Sequence, residues 1–175
     1  DGKIIFDTKG FDCFIDPQGH PVGYHALIPQ NPNNKVLIRI YGGWTKTELD
    51  NAESAIQTNE TQMWNAKEYT VVRLNGLDLW ANTNFQTEMP KSLHNDMLRG
   101  YANFIKALKN GQIKDLECLQ DAKIFVQGHS FGGATVTRLA QEYPSLIDGV
   151  ITSNGALREE NEGVYEHLWP YAQIG

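Results

Sequence analysis

The sequence predicts an α/β fold, a three-layer α/β/α sandwich in which helices cover both faces of a mostly parallel central sheet and an antiparallel N-terminal hairpin sits at one edge. Three observations carry this. From residue 35 onward, short β-branched runs alternate with stretches of helical period, the pattern of strands joined by right-handed crossovers. Before them lie β-prone pieces around the turn Asp16-Pro17-Gln18-Gly19, a hairpin signal. No repeat, low-complexity stretch or linker interrupts the 175 residues, so a single domain over 1–175 is expected.

Taken in order, residues 4–6, 11–15 and 22–28 read as the strands of the hairpin region. Pro29, Pro32 and the Asn-rich stretch Asn31-Pro32-Asn33-Asn34 break the chain, and residues 35–41 (KVLIRIY) follow as a β-branched run suited to an inner strand. After Gly42-Gly43, residues 47–67 are helix-compatible, with an interruption near Asn59. Residues 69–74 (YTVVRL) form the next strand, and 75–90 read as a long loop of the kind that often carries function. Residues 92–109 place Leu93, Met97, Tyr101, Ile105 and Leu108 on one helical stripe, stopped by Asn110-Gly111. A strand at 122–126, a helix at 131–142 ended by Pro144, and a strand at 148–152 complete the pattern.

Charge and composition exclude several function classes. Fifteen Lys plus Arg against 21 Asp plus Glu give a net charge of −6, no basis for a phosphate-binding face, so nucleic acid is not an expected partner. No run approaches the roughly 18 apolar residues of a membrane span, and no basic region followed by an apolar run opens the chain. A soluble chain with no transmembrane segment is expected. The start without Met fits a processed or secreted protein and leaves localisation open. Cys13 and Cys118 make neither a disulfide framework nor a zinc site and are expected to be free and partly buried. No cluster has metal-ligand spacing and no phosphate loop is present, so no cofactor is implied. Asn59-Glu60-Thr61 is a glycosylation sequon should the protein be secreted in a eukaryote.

The residues that carry chemistry are Gly128-His129-Ser130-Phe131-Gly132-Gly133, directly between a strand and a helix. A sharp turn there pushes the Ser130 hydroxyl out above the strand ends, and side chains at Gly128 or Gly132 would collide with the turn and its neighbours. The helix directs its free N–H groups and positive dipole end toward the serine, which makes the Phe131 N–H the first candidate oxyanion donor. The bland alternative is a Gly-rich turn with an ordinary serine. A second donor is expected from Tyr41-Gly42-Gly43-Trp44, through the Tyr41 hydroxyl or through the N–H of Gly43 or Trp44. Core packing of Tyr41 and a simple turn at Gly42-Gly43 are the competing readings.

With these residues in view, the chain resembles the first part of an α/β-hydrolase catalytic domain, and within that superfamily it is most similar to the prolyl oligopeptidase group of serine peptidases. The likeness runs over residues 10–156 through YHALIPQ, VLIRIYGGW, SLHNDMLRGYANFIKAL and IFVQGHSFGGATVTRLAQEY. It implies an α/β-hydrolase sheet, an acyl-enzyme on Ser130, and a tyrosine hydroxyl at Tyr41 in the oxyanion hole. GHSFGG is equally at home in carboxylesterases and lipases.

In such a domain the triad runs Ser, then Asp or Glu, then His. After residue 152 no further strand is expected, so the acid and the base are expected outside this chain, in a second polypeptide or a missing C-terminal part. Within the chain, His167 follows Ser130 in the right order, with Glu159, Glu160 and Glu162 ahead of it; a lid or solvated helix is the alternative reading of that stretch. His129 is expected to pack or hydrogen-bond away from Ser130, and His20, His25 and His94 to be structural. Trp44, Trp80 and Phe85 are candidates to line an apolar pocket. The expected activity is serine hydrolysis of an ester or peptide substrate; a carboxylesterase or lipase, and a non-catalytic binding module of the same fold, are the alternatives.

Overall fold

The computed structural model describes residues 3–40, 59–75, 91–129 and 131–153. Seven strands form one sheet: β1 (Ile4–Asp7), β2 (Asp12–Ile15), β3 (Pro21–Pro29), β4 (Lys35–Ile40), β5 (Thr70–Asn75), β6 (Lys123–His129) and β7 (Gly149–Ser153). Their order is β1-β3-β5-β4-β6-β7, with β2 also paired to β3. β5, β4, β6 and β7 run parallel, and β3 runs against β5, β1 and β2. β3 is thus the one described strand that opposes the rest. Its nine residues hold two short partners end to end, β2 on residues 21–24 and β1 on residues 27–29.

Among the described residues three α-helices cover the sheet: α1 (Asn59–Ala66), α2 (Lys91–Lys109) and α3 (Phe131–Glu142). The chain steps from β4 outward to β5, then back across β4 to β6 and on to β7, so right-handed crossovers place α1 on one face and α2 and α3 on the other. Side chains agree with this. Val36, Ile38 and Ile40 of β4 pack with Leu98, Phe104 and Val136 in the main core, whereas Arg39, on the opposite face, donates from Nη1 to Thr61 Oγ1 of α1 at 2.8 Å.

α2 forms because its apolar residues recur every three or four positions, and the inward set is almost wholly buried. Phe104 lies against Phe14 and Tyr24, with ring centroids 5.7 and 5.1 Å away, which fastens the hairpin to the core. Lys106 and Lys109 occupy its last turn, where cations favour the helix dipole. Arg138 of α3 is buried and donates from Nη2 to Asn95 Oδ1 at 2.7 Å while also holding Glu142, tying α3 to α2. At the hairpin turn the buried Asp16 accepts the amides of Gln18 and His20 at 2.9 and 2.8 Å.

Several expectations shift. β6 runs to His129 rather than to residue 126 because Gly128 stays extended and pairs with both neighbouring strands. Two single 3-10 turns, Glu117–Leu119 and Pro144–Leu146, were not anticipated. Cys13 and Cys118 form no disulfide, as expected, but are exposed rather than partly buried, since one lies on the edge strand β2 and the other in the 3-10 turn. Of the helix expected at 47–67 the described part is Asn59–Ala66, residues 47–58 lying outside the described residues, as does the loop expected at 75–90 from 76 onward. Among the described residues no helix is long and apolar enough to cross a membrane.

His25, buried in β3, has Nε2 2.6 Å from Asp7 Oδ1 and so ties β1 to the sheet. Burial pushes the Asp7 carboxyl up, but the hydrogen bond with His25, the Lys9 amide and the nearby cations outweigh it and hold the group below its ordinary 3.8. A carboxyl lowered on folding adds stability above its unfolded pKa and loses it as pH falls through the folded value. Wild type is therefore expected to lose more of its urea midpoint than Asp7→Asn between pH 6 and about pH 3. Parallel curves for the two proteins would contradict the assignment.

Candidate active site

β6 lies between β4 and β7 in the parallel part of the sheet. At its end Gly128 pairs with Ile40 of β4 and with Thr152 of β7, and His129 pairs with Ser153. The helix α3 begins at Phe131, so one residue, Ser130, separates strand from helix. So abrupt a reversal brings helix backbone onto the strand. A Cβ on Gly128 would overlap the Gly132 carbonyl and stand 2.7 Å from Gly133 N. Glycine at 128 is thus required by backbone packing, without any positive φ.

The strand order reverses here. From β4 the chain crosses to β5 on one side and from β6 to β7 on the other, while Ile40 and Gly128 sit side by side. Open α/β sheets bind ligands in the crevice at such a switch point, outside the carboxyl ends of the strands. The residues that follow those two strand ends are Tyr41 and Ser130. The first turn of α3 carries no acidic residue, so nothing within that turn offsets the positive end of the dipole, and Phe131 N–H is among the donors that the helix leaves unpaired.

A family model described as the alpha/beta hydrolase fold matches residues 83–171, just over half of the chain and including β6 and α3. The chain belongs to the alpha/beta hydrolase fold family. Solved structures agree. A probable hydrolytic enzyme from Pseudomonas aeruginosa PAO1 superposes with a TM-score of 0.53 at 16% identity, covering 84% of this chain and 41% of that one. Est1E from Butyrivibrio proteoclasticus gives 0.52 at 20% identity, with 81% and 49% covered. A soluble variant of monoglyceride lipase from Saccharomyces cerevisiae gives 0.56 at 16%, with 87% and 46% covered. At these identities the likeness is one of fold, and the chain spans less than half the length of each. No curated protein matches its sequence. The prolyl oligopeptidase group is not singled out by these comparisons.

Within the alpha/beta hydrolase fold, the sequence-predicted residues divide clearly. Gly128, His129, Gly132, Gly133 and the backbone of Phe131 come together at the end of β6, with His129 exposed. Ser130, Tyr41, Gly43, Trp44 and His167 lie outside the described residues, as do Trp80, Phe85 and the acidic stretch 158–163. His20 lies 3.8 Å from Asp16 in the hairpin turn, and His25 holds Asp7 of β1 as above. His94 lies in the first turns of α2.

Sequence reasoning missed a polar row under α1. In register, His25, Arg73, Arg39 and Gln127 are neighbours across β3, β5, β4 and β6. Both arginines are buried, and Arg73 lies 5.5 Å over the ring of Phe11. The signal was present: arginines in KVLIRI and TVVRLN interrupt otherwise apolar inner strands, where a charge needs a specific partner.

Proposed function

We propose that this protein is a serine hydrolase that cleaves a carboxylic ester or a peptide bond through an acyl-enzyme on Ser130. The observation that carries the proposal is the one-residue connection at Ser130 between β6 and α3, at the switch point of the sheet. Ser130 attacks the substrate carbonyl. Phe131 N–H and a donor from Tyr41, Gly43 or Trp44 hold the oxyanion that forms. A serine hydroxyl is weak at its own pKa, so a histidine base and an acid that orients it act from outside the described residues. His167 or a second polypeptide is the source to test.

The ester reading draws on the names of two structural neighbours, Est1E and the monoglyceride lipase; the peptidase reading draws on the sequence resemblance. Initial rates on p-nitrophenyl acyl esters and on peptide p-nitroanilides separate them, measured with the full-length protein and whatever polypeptide co-purifies with it. Turnover of esters alone selects the esterase, and cleavage of an anilide selects the peptidase. Ser130→Ala is expected to lower either rate by at least about 10³-fold. Hydrolysis of neither substrate class would overturn the proposal in favour of a binding module.

A further inference from the structure

β1 is attached at few points. It has four residues, pairs with β3 alone, and its register shifts between Ile4 and Phe6. Phe6 packs against the main core, whereas Ile5 is 59% exposed. A short edge strand that buries so little opens at a fraction of the cost of global unfolding. At its outer end Lys3 O accepts the Gln30 amide at 2.7 Å. At its inner end the attachment converges on one atom, Asp7 Oδ1, which lies 2.6 Å from His25 Nε2 and accepts the Lys9 amide at 2.7 Å. A carboxylate only accepts, so the ring nitrogen facing it is the donor. The other ring nitrogen, Nδ1, is buried with no hydrogen-bond partner, which leaves the bond to Asp7 as the polar tie of this imidazole. Next to Asp7, Thr8 is bonded to Ala26 through both its amide and its hydroxyl, and Lys9 and Gly10 then turn the chain at φ 55° and 119°.

We propose that Asp7 and His25 form an acid-sensitive latch: the ionised carboxylate holds β1 on the sheet, and its protonation lets residues 3–7 swing away from β3 about Thr8 while the rest of the sheet stays paired. The Asp7 side chain is 29% exposed, so protons reach it from solvent. Once neutral, its oxygen makes hydrogen bonds roughly half as strong, and the bonds from His25 and Lys9 weaken together. The charged groups around the pair are Lys9 of the bend and Arg73 of β5, which is in register with His25 and lies over the Phe11 ring that stands edge-on to the imidazole; α1, which packs on β3, carries Glu60 as its one ionisable residue. Burial raises the Asp7 carboxyl, but these bonds and charges hold it below its ordinary 3.8. Docking of β1 is therefore at full strength above that value and is lost as pH falls through the lower, docked one. Release leaves the edge of β3 at Leu27 and Ile28 unpaired, a surface on which a further strand can pair.

The test is amide exchange of the full-length protein, read by mass for peptides covering residues 3–9 and 36–40 at pH 6 and at about pH 3 and corrected for the intrinsic pH dependence of exchange. Wild type is expected to lose about tenfold of its protection in 3–9 while 36–40 is unchanged. Asp7→Asn keeps an acceptor oxygen without a titrating group, and is expected to show weak protection in 3–9 that is the same at both pH values. Equal wild-type protection at the two pH values would overturn the inference. So would a loss in 3–9 that runs in step with 36–40, which is global unfolding, or a loss in Asp7→Asn as large as that of wild type. Should Asp7→Asn fail to fold, His25→Leu replaces it with the same expectation, and a tenfold loss there overturns the inference equally.

Discussion

Gly128→Ala is expected to remove more than about 3 kcal/mol of folding stability, enough to leave most of the chain unfolded or insoluble at 37 °C. The added methyl group would fall on the carbonyl of Gly132 and 2.7 Å from the nitrogen of Gly133, and neither atom can move without drawing the first turn of α3 off β6. Gly128 also lies in register between Ile40 of β4 and Thr152 of β7, so the strand is held from both sides. Gly100→Ala is the matched comparison. Its Cβ would meet the Val22 side chain at 3.1 Å and stand 4.0 Å from Asp16 Oδ2, and replacing a glycine inside α2 gains helix propensity of up to about 1 kcal/mol. Urea unfolding should therefore show a small change for Gly100→Ala and a collapse for Gly128→Ala. A wild-type midpoint for Gly128→Ala would mean that strand and helix do not meet as described.

That contrast also shows what the sequence could reveal. Gly128 was legible as part of a glycine-bracketed serine between a strand and a helix, because the chemistry of a tight reversal permits few residue types. The packing of Gly132 onto it was legible only in outline. The parallel strands were read to within three residues at their ends, since β-branched runs such as KVLIRI and TVVRL have few other uses. α2 was read to one residue at its start, from its apolar stripe. The three-layer order followed from alternation alone, and the fold bears it out.

What stayed hidden depends on contacts distant in sequence. The pairing of β2 with β3 was legible from the hairpin turn at residues 16–19, but that β1 joins the same edge of β3 was not, because period says nothing of it. The bond between Arg39 and Thr61 spans 22 positions, and neither residue type signals a partner by spacing. The exposure of Cys118 follows from a 3-10 turn with too few residues to show a period. The site divides in the same way. The reversal from β6 to α3 is local and was readable, whereas the proposed oxyanion donors and base are calls on residues outside the described ones.

The central claim is that Ser130 is an activated nucleophile. An intact-mass spectrum of the full-length protein, taken before and after a fluorophosphonate probe with Ser130→Ala alongside, tests it most directly. The account predicts one covalent adduct on wild type and none on the variant, because removing the nucleophile of a triad abolishes acylation. A polypeptide co-purifying with the labelled chain would identify where the base resides, and its absence would direct attention to His167. An adduct of equal yield on Ser130→Ala, or no adduct on wild type, would contradict the claim.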